Sequence, residues 1–372
     1  MLTKDGSTVV ATHGMIHAFE FAGGPDCARC QAPGWRSCRR YLSRVWILTS
    51  ARDHLICWLE QGLVSPSRLW DALQLGGIYP SESQWGRFVD RLLLGLGVAL
   101  LLSGIVSFFA ANWGEIGRFG RFLLLDALIL VALGAVWRLG LELLAGQAAL
   151  FAAAVLVGVL LGVIGQVYQT GADVYELFAV WAILILPWVL LGRFALLWIF
   201  WLGLINLAAY LFYDTFHGFL GMPLGYRHAL LVALLFNSFA LAVWELAAAR
   251  HVVWLQARWA PRILATAGGV PVTILSVLGI FDGDLNSGQL DVLIWLIWLA
   301  AMYLVYRRLR VDVFMLAGAL LSLIVTAVAG LWRGLADFGD SAMGLLLIAA
   351  VVLGLSTLGG RWLTRVANRR ER

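Results

Sequence analysis

Charged side chains are scarce in this chain: they make up 13% of its 372 residues, against 61% hydrophobic ones, and the mean hydropathy is +0.85. Ordinary globular domains are thereby excluded, because they cannot hide so much apolar surface from water. Lysine is almost missing, Lys4 being the only one, so nearly all 27 basic residues are arginines set in short clusters between apolar runs. That spacing speaks against a nucleic-acid surface and for a membrane topology signal. The chain also lacks a Gly-Lys-Ser/Thr phosphate loop, a His-Glu-x-x-His pair and a Gly-x-Ser-x-Gly elbow. An enzyme activity is not expected, and neither is a cofactor. Cysteine is sparse, and three of the four residues (Cys27, Cys30, Cys38) fall in "CARCQAPGWRSC" behind His13 and His17. Thiolates at this spacing can hold zinc, but no second pair follows, so no metal site is expected. Residues 1–45 read as a disordered leader, and the first long apolar run begins near Leu92, too late for a cleaved secretory signal.

What is present in quantity is hydrophobic length. A span needs about 20 mainly apolar residues. Ten stretches qualify: 92–112, 120–137, 148–168, 177–192, 194–213, 228–249, 263–281, 289–306, 312–331 and 341–360. With the N-terminus inside, the inner loops and tail carry Arg138, Arg193, Arg250, Arg258, Arg262, Arg307, Arg308, Arg310, Arg361, Arg365, Arg369, Arg370 and Arg372. The outer loops carry only Arg118, Arg121, Arg227 and Arg333. This alternation predicts an all-α polytopic bundle with both termini in the cytoplasm. Many of the 18 tryptophans lie near span ends, where indole rings favour the headgroup level. The expected organisation is a leader (1–45), a cytoplasmic helical headpiece (46–91), a transmembrane bundle (92–364) and a basic tail (365–372).

In the headpiece, Tyr41, Val45, Leu48, Leu55 and Leu59 form one helical stripe. Gly62 stops it, and Ser65 with Pro66 starts a second helix. Ser81 and Gln84 then form a capping box at the start of the helix that runs into the first span. Three groups of residues, "WLEQGLVSP" leading to Trp85, "FFAANW" through Trp113, and "GQVYQTGADVYELFAVWAILILP" through Pro187, together resemble the bacterial membrane-protein family called domain of unknown function 2157. The resemblance covers roughly residues 50–200. The stretch "YRRLRVDVFMLAGALLSL", 306–323, looks more weakly like a companion family, domain of unknown function 4401. The resemblance implies a multi-pass protein of the bacterial inner membrane and supplies no catalytic residues to carry over.

Ionisable groups at membrane depth are costly, so each is a candidate site. Asn112, Trp113, Asp126, Gln166, Tyr168 and Asp173 all fall in the outer halves of the first four spans and are expected to form one polar cluster. Such a cluster serves either as an ion, proton or small-solute site, with Asp126 and Asp173 as charge carriers, or as hydrogen-bonding glue between helices. Gly268, Gly269 and Pro271 offer a broken helix in the seventh span. Glu245 is expected to pair with Arg250 or to reach the interface, Asn206 and Asn237 to bridge helices, and Arg138 to pair with Glu142. The outer face carries nine acids (Glu115, Asp173, Glu176, Asp214, Asp282, Asp284, Asp291, Asp337, Asp340) against four arginines, an excess that depletion of arginine produces by itself. Two functions remain open: a structural or accessory membrane component, or an ion-coupled transporter or small-solute permease with a periplasmic-facing polar site. The partners expected are the lipid bilayer and a further membrane protein, with no nucleic acid.

Overall fold

In hydrocarbon each backbone N–H and C=O needs a partner from the protein, and an apolar run of about 20 residues meets that need by coiling into a helix. The computed structural model describes residues 65, 69–75, 82–111, 117–169, 171–216, 225–250, 252–282, 285–335 and 342–370, and among them there is no strand. A short helix, α1, covers Leu69–Leu75. Ten helices long and apolar enough to cross a membrane follow. They are α2 (Glu82–Ala111), α3 (Arg118–Leu139), α4 (Leu144–Tyr168), α5 (Val174–Gly192), α6 (Ala195–Thr215), α7 (Tyr226–Ala249), α8 (Trp259–Phe281), α9 (Leu285–Leu304, extended by the π-helical turn Val305–Leu309), α10 (Val313–Gly334) and α11 (Ala342–Arg370).

All ten expected spans are present, and the differences lie at their ends. Helix α2 starts directly after Ser81, and α11 continues to Arg370, past the end of the expected tenth span at 360. At 30 and 29 residues these helices are about 45 Å long, and the surplus over a hydrocarbon core of about 30 Å carries their polar ends into water. The leader with Cys27, Cys30 and Cys38, and the stripe from Tyr41 to Leu59, lie outside the described residues.

Connections are short and are closed by unusual backbone. Gly140 (φ 73°) ends α3, which puts Glu142 in the following turn rather than on the helix that carries Arg138. The expected i,i+4 pair between them does not form, because it needs one continuous helix. Helices α5 and α6 are joined by Arg193 and Phe194 alone, with Arg193 in the left-handed region (φ 48°) and Phe194 buried. Antiparallel alternation gathers Arg138, Arg193, Arg258, Arg262, Arg307, Arg308 and Arg310 at one end of the bundle, and Asp173, Glu176, Asp214 and Asp282 at the other. These are called below the arginine-rich and acidic ends.

Packing follows chain order. Leu125, Ile129 and Leu156 tie α2, α3 and α4 together; Ile185, Val189 and Leu197 tie α4, α5 and α6. Trp244 and Leu264 join α6, α7 and α8, and Met302, Tyr306, Met315 and Val366 join α9, α10 and α11. Tryptophans add hydrogen bonds, because an indole N–H has no water to turn to in this setting. Trp181 Nε1 donates to the Ala154 carbonyl (2.8 Å) across α5 and α4, and Trp201 Nε1 to the Ala182 carbonyl (2.9 Å) across α6 and α5. Gly158 makes room for the first of these, since a Cβ there would collide with the Trp181 ring. Helix α8 is central: it packs against α6, α7, α9 and α10, and 44% of its most apolar stretch is buried, against 6% for α11.

Candidate functional site

The expected polar cluster falls on the acidic-end halves of α3, α4 and α5, but its side chains do not converge. Asn112 and Trp113 lie outside the described residues. Asp126 and Gln166 are exposed on the surfaces of α3 and α4, and neither side chain has a hydrogen bond or ion pair among the described residues. Tyr168 is exposed and stacks its ring on Phe122 (6.0 Å between centroids), which pins the end of α4 to α3. Asp173 stands at the N-cap of α5 without bonding a backbone N–H through its side chain. The helical phase explains the dispersal: on α3 the buried face is Arg121, Leu125 and Ile129, and Asp126 lies a further 100° round from Leu125.

The converging polar groups belong instead to α8 and α10, where sequence reading expected little. Helix α8 does not break at Gly268, Gly269 and Pro271; it is continuous from Trp259 to Phe281, with Gly268 and Pro271 buried. The glycines serve close contacts. Gly268 lies against Asn237 and Ser238 of α7, and Gly269 lies under the Trp298 ring of α9. Small residues at a helix crossing draw helices together in a membrane, where no hydrophobic force between them exists.

Helices α8 and α10 run parallel, with α9 returning between them, and meet through rungs about fifty residues apart in sequence. At the arginine-rich end Arg262 donates from Nε and Nη2 to the Asp312 carboxylate (3.3 to 3.4 Å). Further in, the Thr273 and Ser322 hydroxyls are 2.6 Å apart, and the Ser276 and Thr326 hydroxyls 2.8 Å. At the acidic end Arg333 donates to the Asp282 carbonyl (3.1 Å). Trp295 of α9 adds an indole N–H to Ser322 Oγ (2.9 Å), which brings the third helix into the ladder. On α10 the contributing residues Asp312, Met315, Ala319, Ser322, Thr326, Ala329 and Arg333 repeat at alternating three- and four-residue steps, a single seam along the helix. Ser276, Ser322 and Thr326 are buried, where a hydroxyl has to be hydrogen-bonded, and Ser276 also donates to the Thr273 carbonyl (2.8 Å).

Ion pairs close both ends of the same helices. Arg227, at the start of α7, reaches Asp282 (2.7 Å) and Asp291 (2.6 Å), and Ser287 donates to Asp282 (2.9 Å). The sequence placed Asp291 on or near the outer face, and it is 6% exposed: nearly two turns into α9, it faces α8 where Gly279 and Gly288 bring the two backbones together. A Cβ on either glycine would strike the other's carbonyl oxygen. At the opposite end Glu245 pairs with Arg310 (2.7 Å) and lies 3.8 Å from Arg258, and the Tyr306 hydroxyl donates to it (3.3 Å). Arg250 caps the end of α7 with its own backbone N–H and does not pair with Glu245. Its position beyond the last turn turns it away, while the π-helical turn of α9 delivers Tyr306 and Arg310. Asn206 and Asn237 exchange hydrogen bonds (2.6 and 3.2 Å) across α6 and α7, as the sequence suggested.

Beside Asn206 a lateral groove of about 670 Å³ opens between α6, α7 and α8. Tyr210 and Tyr226 bound it toward the acidic end, and Arg262 and Phe314 toward the arginine-rich end. The guanidinium of Arg262 lies 5.3 Å from the centre of the Phe314 ring. Among the described residues no group of three or more His, Cys, Asp or Glu side chains is placed to hold a metal ion.

Sequence reasoning missed the ladder because single serines and threonines in a span carry no marked signal. The alternating step on α10 was the available clue. A family model described as predicted membrane protein, domain of unknown function 2157, matches residues 57–198, which run from ahead of α1 into the first turn of α6. The ladder and both ion-pair networks lie beyond that match. No curated protein and no solved structure matches the chain.

Proposed function

We propose that this chain is a multi-pass component of the bacterial inner membrane with a structural or accessory role and no catalysis of its own, its arginine-rich end facing the cytoplasm. The observation that carries this reading is the ladder between α8 and α10. A carrier that alternates access needs helices that can part, whereas these two are joined at four levels, two of them by hydroxyl pairs, one buried and one partly so. The unbroken course of α8 supports the same reading, since it leaves no unwound carbonyls to coordinate an ion. The orientation rests on the arginine count alone. On this reading the headpiece and the outward faces of the flanking helices are the surfaces available to a membrane-protein partner.

Flux measurements in proteoliposomes test the proposal. The purified full chain should pass protons, sodium and potassium no faster than empty liposomes under an imposed gradient. A proton- or cation-dependent flux that Asp126→Asn abolishes without loss of protein would overturn it in favour of a carrier using the α3 carboxylate.

A further inference from the structure

We infer that the groove between α6, α7 and α8 seats an anionic phospholipid, with its phosphate on Arg262 and an acyl chain along the groove. Three observations combine. First, Arg262 is held in place but not used up: Asp312 takes Nε and Nη2, the Phe314 ring supports the guanidinium, and Nη1 has no partner among the described residues. An arginine fixed through one edge and free at the other presents a ready donor to a phosphate oxygen.

Second, the local charge is complementary. Arg258, Arg262 and Arg310 gather at this end of the bundle against Glu245 and Asp312, three cations to two carboxylates, and of these five only Arg262 lines the groove, so the lining presents a cation and no carboxylate. Basic pockets between membrane helices recognise anionic headgroups in this way.

Third, the groove has the length and chemistry of a chain seat. Gly268 of α8 is level with Asn237 of α7. From there Arg262 is six residues, or about 9 Å, toward one end, and Tyr226 eleven residues, or about 16 Å, toward the other. A span of about 25 Å exceeds the half-thickness of a hydrocarbon core of about 30 Å, so an acyl chain anchored at Arg262 is covered along its length. The walls are mainly apolar, with Ala233, Ala267 and Val270 leaving the space that larger side chains would fill. Free phosphate would use Arg262 but would gain nothing from these walls.

Native mass spectrometry of the full chain, released from micelles doped with phosphatidylglycerol or with phosphatidylcholine of the same chains, tests this. Phosphatidylglycerol adducts should exceed phosphatidylcholine adducts at least tenfold. They should fall at least tenfold in Arg262→Gln with Asp312→Asn, a pair that leaves no stranded charge and keeps a capping side chain on α10. Ala267→Phe, which fills the groove without touching the ion pair, should give the same loss. Equal adducts of the two lipids in the unaltered protein, or full retention in Ala267→Phe, would overturn the proposal, and both readouts stand if the double variant fails to fold. Displacement of the lipid by millimolar inorganic phosphate would also overturn it, because the groove would then contribute nothing.

Discussion

Replacing Ser322 by alanine isolates one rung of the ladder. Ser322 is 5% exposed, and its Oγ meets both the Thr273 hydroxyl and the Trp295 indole N–H. Loss of the oxygen affects the two partners differently. Thr273 keeps a bond to the Gly269 carbonyl (2.7 Å) and stays satisfied, whereas the indole N–H of Trp295, also buried, has no second acceptor among the described residues. A stranded buried donor costs about 1–3 kcal/mol. Interhelical hydrogen bonds in membranes average about 0.6 and reach about 1.7 kcal/mol, since the unfolded reference also finds partners. We therefore expect Ser322→Ala to cost about 1–2 kcal/mol, toward the upper part of that range. Trp295→Phe removes the donor and some area, and in the double variant nothing is stranded. A cycle of both substitutions, followed by reversible unfolding in mixed micelles under rising dodecyl sulfate, should show a coupling of about 1 kcal/mol. Additivity within about 0.3–0.5 kcal/mol would mean that Trp295 and Ser322 do not interact, and the rung would be refuted.

Other expectations follow from the same contacts. Arg227→Gln strands the buried Asp291, while Asp282 keeps the Ser287 hydroxyl, and should cost about 3 kcal/mol in the same assay; Asp291→Asn, which leaves Arg227 on Asp282, should cost much less; combining the two should recover part of the loss. Gly279→Ala should destabilise by about 1–3 kcal/mol or more, because the new methyl meets the backbone of Gly288 and cannot be relieved by a rotamer change. Gly162→Ala, where a Cβ meets nothing within 4 Å, is the matched control and should be nearly neutral or slightly stabilising. For orientation, a single cysteine placed at Arg372 in a cysteine-free background should resist a membrane-impermeant maleimide in intact spheroplasts and react after lysis, and one at 283 should react in both; the reverse pattern would invert the topology.

How much of this was legible depends on the range of the interaction. The ten spans were readable because hydropathy and arginine alternation are local signals that the bilayer enforces segment by segment. The reciprocal pair Asn206 and Asn237 was foreseen as a helix bridge because a mid-span amide has few other outlets. Partner choice was not readable. Glu245 was expected to pair with Arg250, five residues away, or to reach the interface, yet it finds Arg310 sixty-five residues on, since the end of α7 points Arg250 elsewhere and the π-helical turn brings Arg310 across. Gly268, Gly269 and Pro271 looked like a break because glycine and proline weaken an isolated helix; inside the bundle the same residues allow α8 to approach α7 and α9 closely. Asp126 and Gln166 were assigned to one cluster on depth and on the adjacency of consecutive spans, and neither says which way a side chain points round its helix.

The register of α8 against α10 is the most direct test of this account. In a background without native cysteines, the pairs Ser276→Cys with Thr326→Cys, and Thr273→Cys with Ser322→Cys, should cross-link rapidly and nearly completely on mild oxidation in membranes, read out as fragments held together after cleavage between the helices. Ser276→Cys with Ala319→Cys, two turns out of register, should not. Equal cross-linking of matched and shifted pairs, or none from the matched ones, would contradict a fixed parallel ladder and with it the static bundle on which the proposed function rests.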